Sequence, residues 1–305
     1  MEIQNRLFGL VEFVMTVQAG SFTAAAASLG LTGSAVGKSV SRLEARLGTK
    51  LLHRTTRRIT LTNEGEAYLE TCLRVLEELD GIEQGLATGR REPVGQLRLE
   101  LPGAFGRRHI LPVLNELALR HPRLDLSVMF SERTADIVEE GVDLAVRIGR
   151  LDDDAGLVAV RLGTQRLVIC ASPAYLAAHG TPTSPEELKT RDCIVGWRRA
   201  ARPVWLLRDD DGRFVPHAIH ARHELSDGEA MVAATLAGCG LCQLPTWLIA
   251  DHLASRALVA VLEEHAGAEM PIHAVWPHNR YTKPKVRVVI EALKRAAGAS
   301  GSAFG

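Results

Sequence analysis

SFTAAAASLGLTGSAVGKSVSRLEARLGTKLLHRTTRRITL, residues 21–61, decides how this chain folds. Ser21 offers a side-chain oxygen to the free N–H groups of a short helix rich in alanine (Ala24 to Ala27). Gly30, after Leu29, can stop that helix in a left-handed residue. Leu31 then offers an apolar plug and Thr32 a second cap. Val36, Val40, Leu43 and Leu47 recur at spacings of four, three and four, which predicts one buried face on a second helix. The opposite face carries Gly33, Ser34, Gly37, Lys38 and Ser41, with Arg42 and Arg46 at its flank. Small and polar groups of this kind fit a major groove without obstruction. Two helices joined by a tight glycine turn are a helix-turn-helix.

The flanks extend that reading. Leu51-Leu52 and Ile59 to Leu61 read as short strands, and the tip between them, His53-Arg54-Thr55-Thr56-Arg57-Arg58, is cationic and rich in hydroxyls. Such a wing reaches phosphates or a minor groove beside the reading helix. A merely solvated basic hairpin is the competing view, disfavoured because turn, cap, apolar spacing and wing follow one another in order. Leu7, Leu10, Val11, Val14 and Val17 predict a first helix packed beneath the pair. The formal net charge of the 305 residues is zero, yet residues 1–62 hold eight lysines and arginines against Glu2, Glu12 and Glu44. A head of +5 on a body of −5 suits polyanion binding at one end only.

With 46% hydrophobic and 24% charged residues the composition is that of a folded globular chain long enough for two or three domains. Glu2 precedes the first apolar stretch, Glu12 interrupts it and no small-residue cleavage site follows a basic start, so no signal peptide is read, and no run approaches the roughly 18–20 apolar residues of a membrane span. A cytoplasmic protein is expected. Five scattered cysteines argue against a disulfide framework, and Cys239-Gly240-Leu241-Cys242, a lone CxxC in an apolar run, reads as buried thiols. His217, His220 and His223 are spaced by three on a strand-like stretch, which scatters them over both faces, so no metal is expected.

Beyond the wing, Thr62 can cap a long helix with Glu64 and Glu66 in its first turn. Leu69, Leu76 and Glu83, with Cys72, Leu79 and Leu86 offset by three, form a heptad seam with one charged interruption. Roughly 24 residues at about 1.5 Å each make a rod of about 36 Å. Its stripe packs either on its own chain or on a second copy, and the second is favoured because a rod outside a core must bury its stripe somewhere. Gly89 to Pro93 breaks the pattern. From there strands (96–101, 124–130, 143–148, 166–171, 241–245, 272–276) alternate with helices (110–119, 134–140, from 173, 227–238, 285–297), with Trp197 and Trp205 in short strands. This predicts a parallel α/β sheet. The last residues, GASGSAFG, read as a frayed tail.

The run from Phe13 through Gly65 resembles the LysR-type transcriptional regulators. The resemblance lies in Ala24-Ala25-Ala26, SVSRLEARLG (Ser39 to Gly48), His53-Arg54-Thr55-Thr56-Arg57 and Leu61-Thr62-x-x-Gly65, and the layout is similar over nearly all 305 residues. The resemblance implies an α/β multidomain protein with three parts. These are an N-terminal winged helix-turn-helix (1–61), a long linker helix that dimerises (62–88), and a C-terminal two-lobed, periplasmic-binding-protein-like effector domain (93–297). Lobe 1 would span about 93–163 and 267–297, and lobe 2 about 164–266, with hinges near Gly163 and Gly267. Double-stranded operator DNA, a small-molecule effector and further copies of the chain, as dimer or tetramer, would be its partners, with RNA polymerase a further one. No cofactor is implied. Relatives often carry Gln, Pro or Arg where this chain has Gly33, which shifts base reading toward Ser34, Lys38 and Ser41. They commonly carry Ser or Thr where it has Ala104, which suggests a less polar ligand or another anchor.

Ligands of open α/β sheets gather at the carboxyl ends of strands, where helix starts present N–H groups to anions. That places an effector site at Pro102, Gly103, Ala104 and Phe105, at Arg147 and Gly149, and at Ser172, Trp197, Ser226, Asp227, Pro245 and Thr246. The N–H groups and Arg147 point to a small organic acid. Each member also has a plain structural reading: Arg147 as a partner of Glu140 or Asp143, Trp197 as core. An α/β enzyme with an appended DNA-binding head would need a nucleophile and base in the cleft, and no GxSxG, HExxH, phosphate loop or Rossmann fingerprint is present. A transporter's solute carrier would need an export signal.

Overall fold

Three helices build the core of the first unit, Met1–Arg91, of the computed structural model. The structure describes residues 7–54, 59–88, 93–132, 136–151, 156–196, 203–278, 283–299 and 304, with the side chains of Arg54 and of several residues between 74 and 88 left out. Helix α1 (Leu10–Ala19) buries Leu10, Phe13 and Val14. Helix α2 (Phe22–Leu29) starts where Ser21 Oγ accepts the Ala24 N–H at 3.1 Å and ends at left-handed Gly30. Helix α3 (Gly33–Leu47) starts where Thr32 Oγ1 accepts from Ala35 N at 3.3 Å, and it buries Val36, Val40 and Leu43. Each such side chain contributes about 1.5–3 kcal/mol on leaving water. The spacing overreached at the edges: Leu7, Val11, Leu31 and Leu47 are 40–51% exposed. The helix turns so that Ser39 and Glu44 take the buried places instead.

Strands β1 (Leu52–Arg54) and β2 (Ile59–Leu61) pair antiparallel, Leu52 opposite Leu61. Helix α4 (Asn63–Thr88) then runs for 26 residues. Thr62 ties it to the wing: its Oγ1 accepts the Gly65 N–H at 2.9 Å and donates to the Lys50 carbonyl at 2.7 Å. The heptad seam is divided. Leu69, Cys72 and Leu76 pack on α1 and the wing core of their own chain, whereas Leu79 is 44% exposed.

The second unit, Glu92–Gly305, holds a nine-stranded sheet. One half is made by β3 (Gly95–Leu101), β4 (Leu124–Phe130) and β5 (Leu144–Ile148), with β3 parallel to both neighbours. The other half is made by β7 (Cys193–Gly196), β10 (Ala221–Leu225) and β11 (Leu241–Pro245), again parallel around β7. Two long strands, β6 (Leu157–Ala171) and β13 (Glu269–Pro277), run antiparallel to each other between them. A purely parallel sheet was expected, so this is a correction: chains that cross from one half to the other and back must run in opposite directions. A small hairpin, β8 (Val204–Arg208) with β9 (Phe214–Ala218), and a short strand, β12 (Val259–Val261), complete the strands described.

Separate cores flank the crossing. Leu97, Leu99 and Leu101 alternate onto one face and meet Leu114 and Leu117 of α6 (Leu111–Arg120) and Val289 and Leu293 of α10 (Pro284–Ala297). A three-residue turn, α5 (Gly103–Phe105), and a π-helical segment (Gly106–Ile110) lead into α6. On the other side α7 (Pro173–His179), α8 (Gly228–Leu236) and α9 (Thr246–Ala254) cover β7 and β11. The helix expected over 134–140 is reduced to hydrogen-bonded turns in its described part. Asp136 Oδ1 accepts from Val138 and Glu139 N–H groups, and Gly141 (φ 65°) ends the turn. The expected frayed end is also corrected at one residue, since Phe304 is 4% exposed.

Candidate functional site

In the head, the exposed face of α3 follows from the burial of its other side. With Val36, Val40 and Leu43 inside, Ser34, Lys38 and Arg42 are exposed and Gly33, Gly37 and Ser41 are half-buried. Ser41 Oγ donates to the Gly37 carbonyl at 2.8 Å, and Thr32 and Ser34 hydroxyls lie 3.2 Å apart at the helix start. Ser21 is a cap rather than a free donor. Arg46 turns away from this face toward the Phe8 carbonyl at 3.4 Å. Of the wing, the Arg54 side chain and Thr56, Arg57 and Arg58 lie outside the described residues.

Composition gave no hint of what aims the wing. Glu44, whose side chain is 1% exposed, accepts from Leu51 N at 3.1 Å and Leu52 N at 3.2 Å, and pairs with Lys50 Nζ at 3.0 Å. A buried carboxylate near a helix C-terminus is unfavourable unless such donors meet it. That constraint locks the end of the reading helix to the first wing strand. Glu12 Oε1 does the same between helices, accepting from Ser39 Oγ at 2.9 Å.

In the second unit a cavity of about 550 Å³ opens between the two halves of the sheet. That size suits a small organic ligand. Pro102, Ala104, Phe105, Ser226 and Pro245 line it as expected. Apolar groups dominate the rest, among them Trp205, Met231, Trp247 and Met270, with Glu132, Gln165 and Glu224 as polar members. Ala104 is 5% exposed and packs with Ile194 and Leu248 of the far half, so its small size serves closure of the turn against α8 and α9.

The remaining expected residues stand elsewhere. Gly103 gives its N–H to Glu132 Oε1 at 2.8 Å. Arg147 lies 4.0 Å from Glu100. Ser172 caps α7 through Tyr175 N at 3.3 Å, and Asp227 caps α8 through Ala230 N at 2.9 Å. Gly149, Ser172, Asp227 and Thr246 do not line the cavity, and Trp197 lies outside the described residues. Arg107, unforeseen in the sequence, bridges to Asp227 at 2.8 Å and to Glu229 at 2.7 Å. Burial pushes the Glu132 carboxyl above the usual carboxylate range, only partly offset by the Gly103 N–H. For Asp227 burial acts upward too, but the Arg107 hydrogen bond and the α8 N–H groups outweigh it and hold the carboxyl low.

The thiols are structural. Cys170 and Cys193 are pushed up to about 12 by burial, and Cys242 is raised as well by the same cause. His217 stands on β9, His223 on β10 and His220 between them. No helix among the described residues is long and apolar enough to cross a membrane.

A winged helix-turn-helix head followed by a long helix and a two-halved α/β unit with a ligand-sized cavity is the architecture of an effector-controlled transcription regulator. The comparisons agree. Residues 9–66 match the bacterial regulatory helix-turn-helix protein model of the lysR family, and residues 90–298 match the LysR substrate binding domain. The chain is 34% identical over 290 residues to the HTH-type transcriptional regulator CrgA of Neisseria meningitidis serogroup C, covering 95% of this chain and 96% of CrgA. It is 37% identical over 288 residues to the HTH-type transcriptional regulator DmlR of Escherichia coli K12, covering 93% and 92%. The solved structure of CrgA, a LysR-type transcriptional regulator, matches with a TM-score of 0.61 at 34% identity over 95% of this chain and 98% of that one. The protein belongs to the LysR family of DNA-binding transcriptional regulators, with a substrate-binding effector domain, and its relatives are named as regulators rather than enzymes.

Proposed function

We propose that α3 lies in the major groove of an operator, that the arginines of the wing hold adjoining phosphates, and that a second copy pairs along the part of α4 beyond Leu76. The observation that carries this is the exposed face of Ser34, Lys38 and Arg42 opposite a fully buried Val36 and Val40. Two paired heads imply a two-fold-related operator, beside which RNA polymerase would be met. Lys38→Ala tests the reading. Against a base-substitution series of one operator it relaxes preference at a single position by about 1–3 kcal/mol. A uniform loss over all sequences would move the reading face elsewhere.

The effector is a small organic compound with an apolar body, lodged in the inter-lobe cavity. A carboxylate head is the finer expectation, and the groups first cited for it are engaged: Arg147 with Glu100 and the Gly103 N–H with Glu132. An acid therefore takes the Gly103 N–H by displacing Glu132. Calorimetry on matched acids and their amides decides the class. Acids binding at least about tenfold tighter, about 1.4 kcal/mol, support it. Amides binding equally well remove it.

A further inference from the structure

Phe304, read from the sequence as part of a loose tail, is 4% exposed and belongs to the first core of the second unit. Its carbonyl accepts the Thr164 N–H at 2.6 Å, on the strand that crosses between the halves. A Cβ on Gly163 would stand 1.7 Å from the Phe304 carbonyl oxygen and 2.7 Å from its Cβ. Only glycine fits there. Gly163 is thus a seat for Phe304, which gives the residue first read as a hinge a different reason to be small. The strand is already irregular at this point: Ile272 pairs with Gly163 and His273 with Arg161, so Leu162 is an extra residue.

From that seat the ring reaches the cavity by contacts that close on themselves. Phe304 meets Phe105 edge-on, centroids 5.2 Å apart at 85°. Phe105 meets Trp247 edge-on at 5.3 Å and 73°. Trp247 Nε1 donates to Gln165 Oε1 at 2.9 Å, and Gln165 follows Thr164, whose N–H holds Phe304. Phe105, Trp247 and Gln165 all line the cavity, and they come from the first half, the second half and the crossing strand. Edge-to-face pairs hold ring tilt as well as spacing, because the positive edge of one ring is attracted to the negative face of the next.

We propose that Phe304 is a positioning residue of the effector site, setting from behind the wall that Phe105 and Trp247 present to the ligand. The proposal rests on the reading of this cavity as the effector site. Its test uses the full chain and two measurements. Hydrogen exchange without ligand compares wild type, Phe304→Ala and Phe304→Leu. The segments containing Phe105 and Trp247 exchange at least about tenfold faster in the alanine variant, while residues 7–54 are unchanged. Affinity for the fluorescent probe 8-anilinonaphthalene-1-sulfonate falls about tenfold in the alanine variant, and leucine, which restores apolar volume without the ring edge, recovers part of it. Wall segments that exchange as in wild type would overturn the proposal whatever the probe does, as would unchanged probe affinity in both variants. Ser226→Trp, which fills the cavity from the end of β10, separates the two readings. If it leaves probe binding intact, the effector-site reading fails, while the exchange result still decides the role of Phe304.

Discussion

The head and the effector unit differ in how far apart in sequence their working parts lie. The reading face of α3 is set by residues 32–44 acting on one another: a cap at Thr32, apolar anchors at Val36, Val40 and Leu43, and the polar remainder outward. The cavity is assembled from segments near residues 102, 132, 165, 196, 205, 226 and 245, brought together by sheet pairing. A local site is specified by periodicity, whereas a distant one is specified by which carboxylate happens to meet which N–H. Regulation needs both, because a reader must hold one shape while its sensor must respond to what enters it.

Substitutions that act on one region alone break or sharpen this contrast. Gly65→Ala has the largest expected effect. A Cβ there would lie 2.0 Å from the Leu51 carbonyl oxygen, so α4 must lift from the wing at a cost of about 3 kcal/mol or more. Hydrogen exchange should show residues 10–76 losing protection and residues 95–297 keeping it. Glu44→Ala comes next, leaving the Leu51 and Leu52 N–H groups buried without their acceptor, for roughly 2–3 kcal/mol in chemical denaturation. Glu44→Gln, which keeps an acceptor, should lose less than half of that. A loss for glutamine as large as that for alanine would show that the charge alone matters.

Glu132→Gln is the smallest and is read through pH. The folded-state carboxyl is raised above its unfolded value, so in the window between the two the native chain binds more protons than the unfolded one. Stability contributed by the protonated form is present at low pH and is lost as pH rises through the folded value. Glutamine removes that dependence while its oxygen still accepts from Gly103. The variant's melting temperature should therefore exceed that of wild type at pH 7, with the difference shrinking toward pH 4. A difference that grows on acidification would contradict the burial argument.

Legibility in the sequence followed the same divide. Caps at Ser21, Thr32 and Thr62, the stop at Gly30, and both wing strands could be read because each depends on neighbours within a turn or two. Leu31 and Leu47 were misplaced because period alone does not say how wide a buried face is. The burial of Glu44 has no signal in the sequence, since its partners at Leu51 and Leu52 are backbone donors that carry no side-chain signature. In the effector unit, Pro102, Ala104, Phe105, Ser226 and Pro245 followed from the rule that ligands sit at strand ends. Arg147, Glu132 and Arg107 did not. Their partners Glu100, Gly103 and Asp227 are chosen by tertiary pairing, over separations from 29 residues to 120 where the hydrogen bonds are direct. Phe304 has no sequence signal for the same reason, as one phenylalanine among seven small residues beyond a helix gives no periodicity to read.

Salt dependence of DNA binding probes the positive charge of the head. A gel-shift titration of the full chain on a duplex selected from a randomised pool should lose about 10³–10⁵ in affinity between about 50 and 200 mM salt, if about 6–10 phosphates are contacted. An affinity that stays flat across that range would contradict the operator-reading role of the winged head.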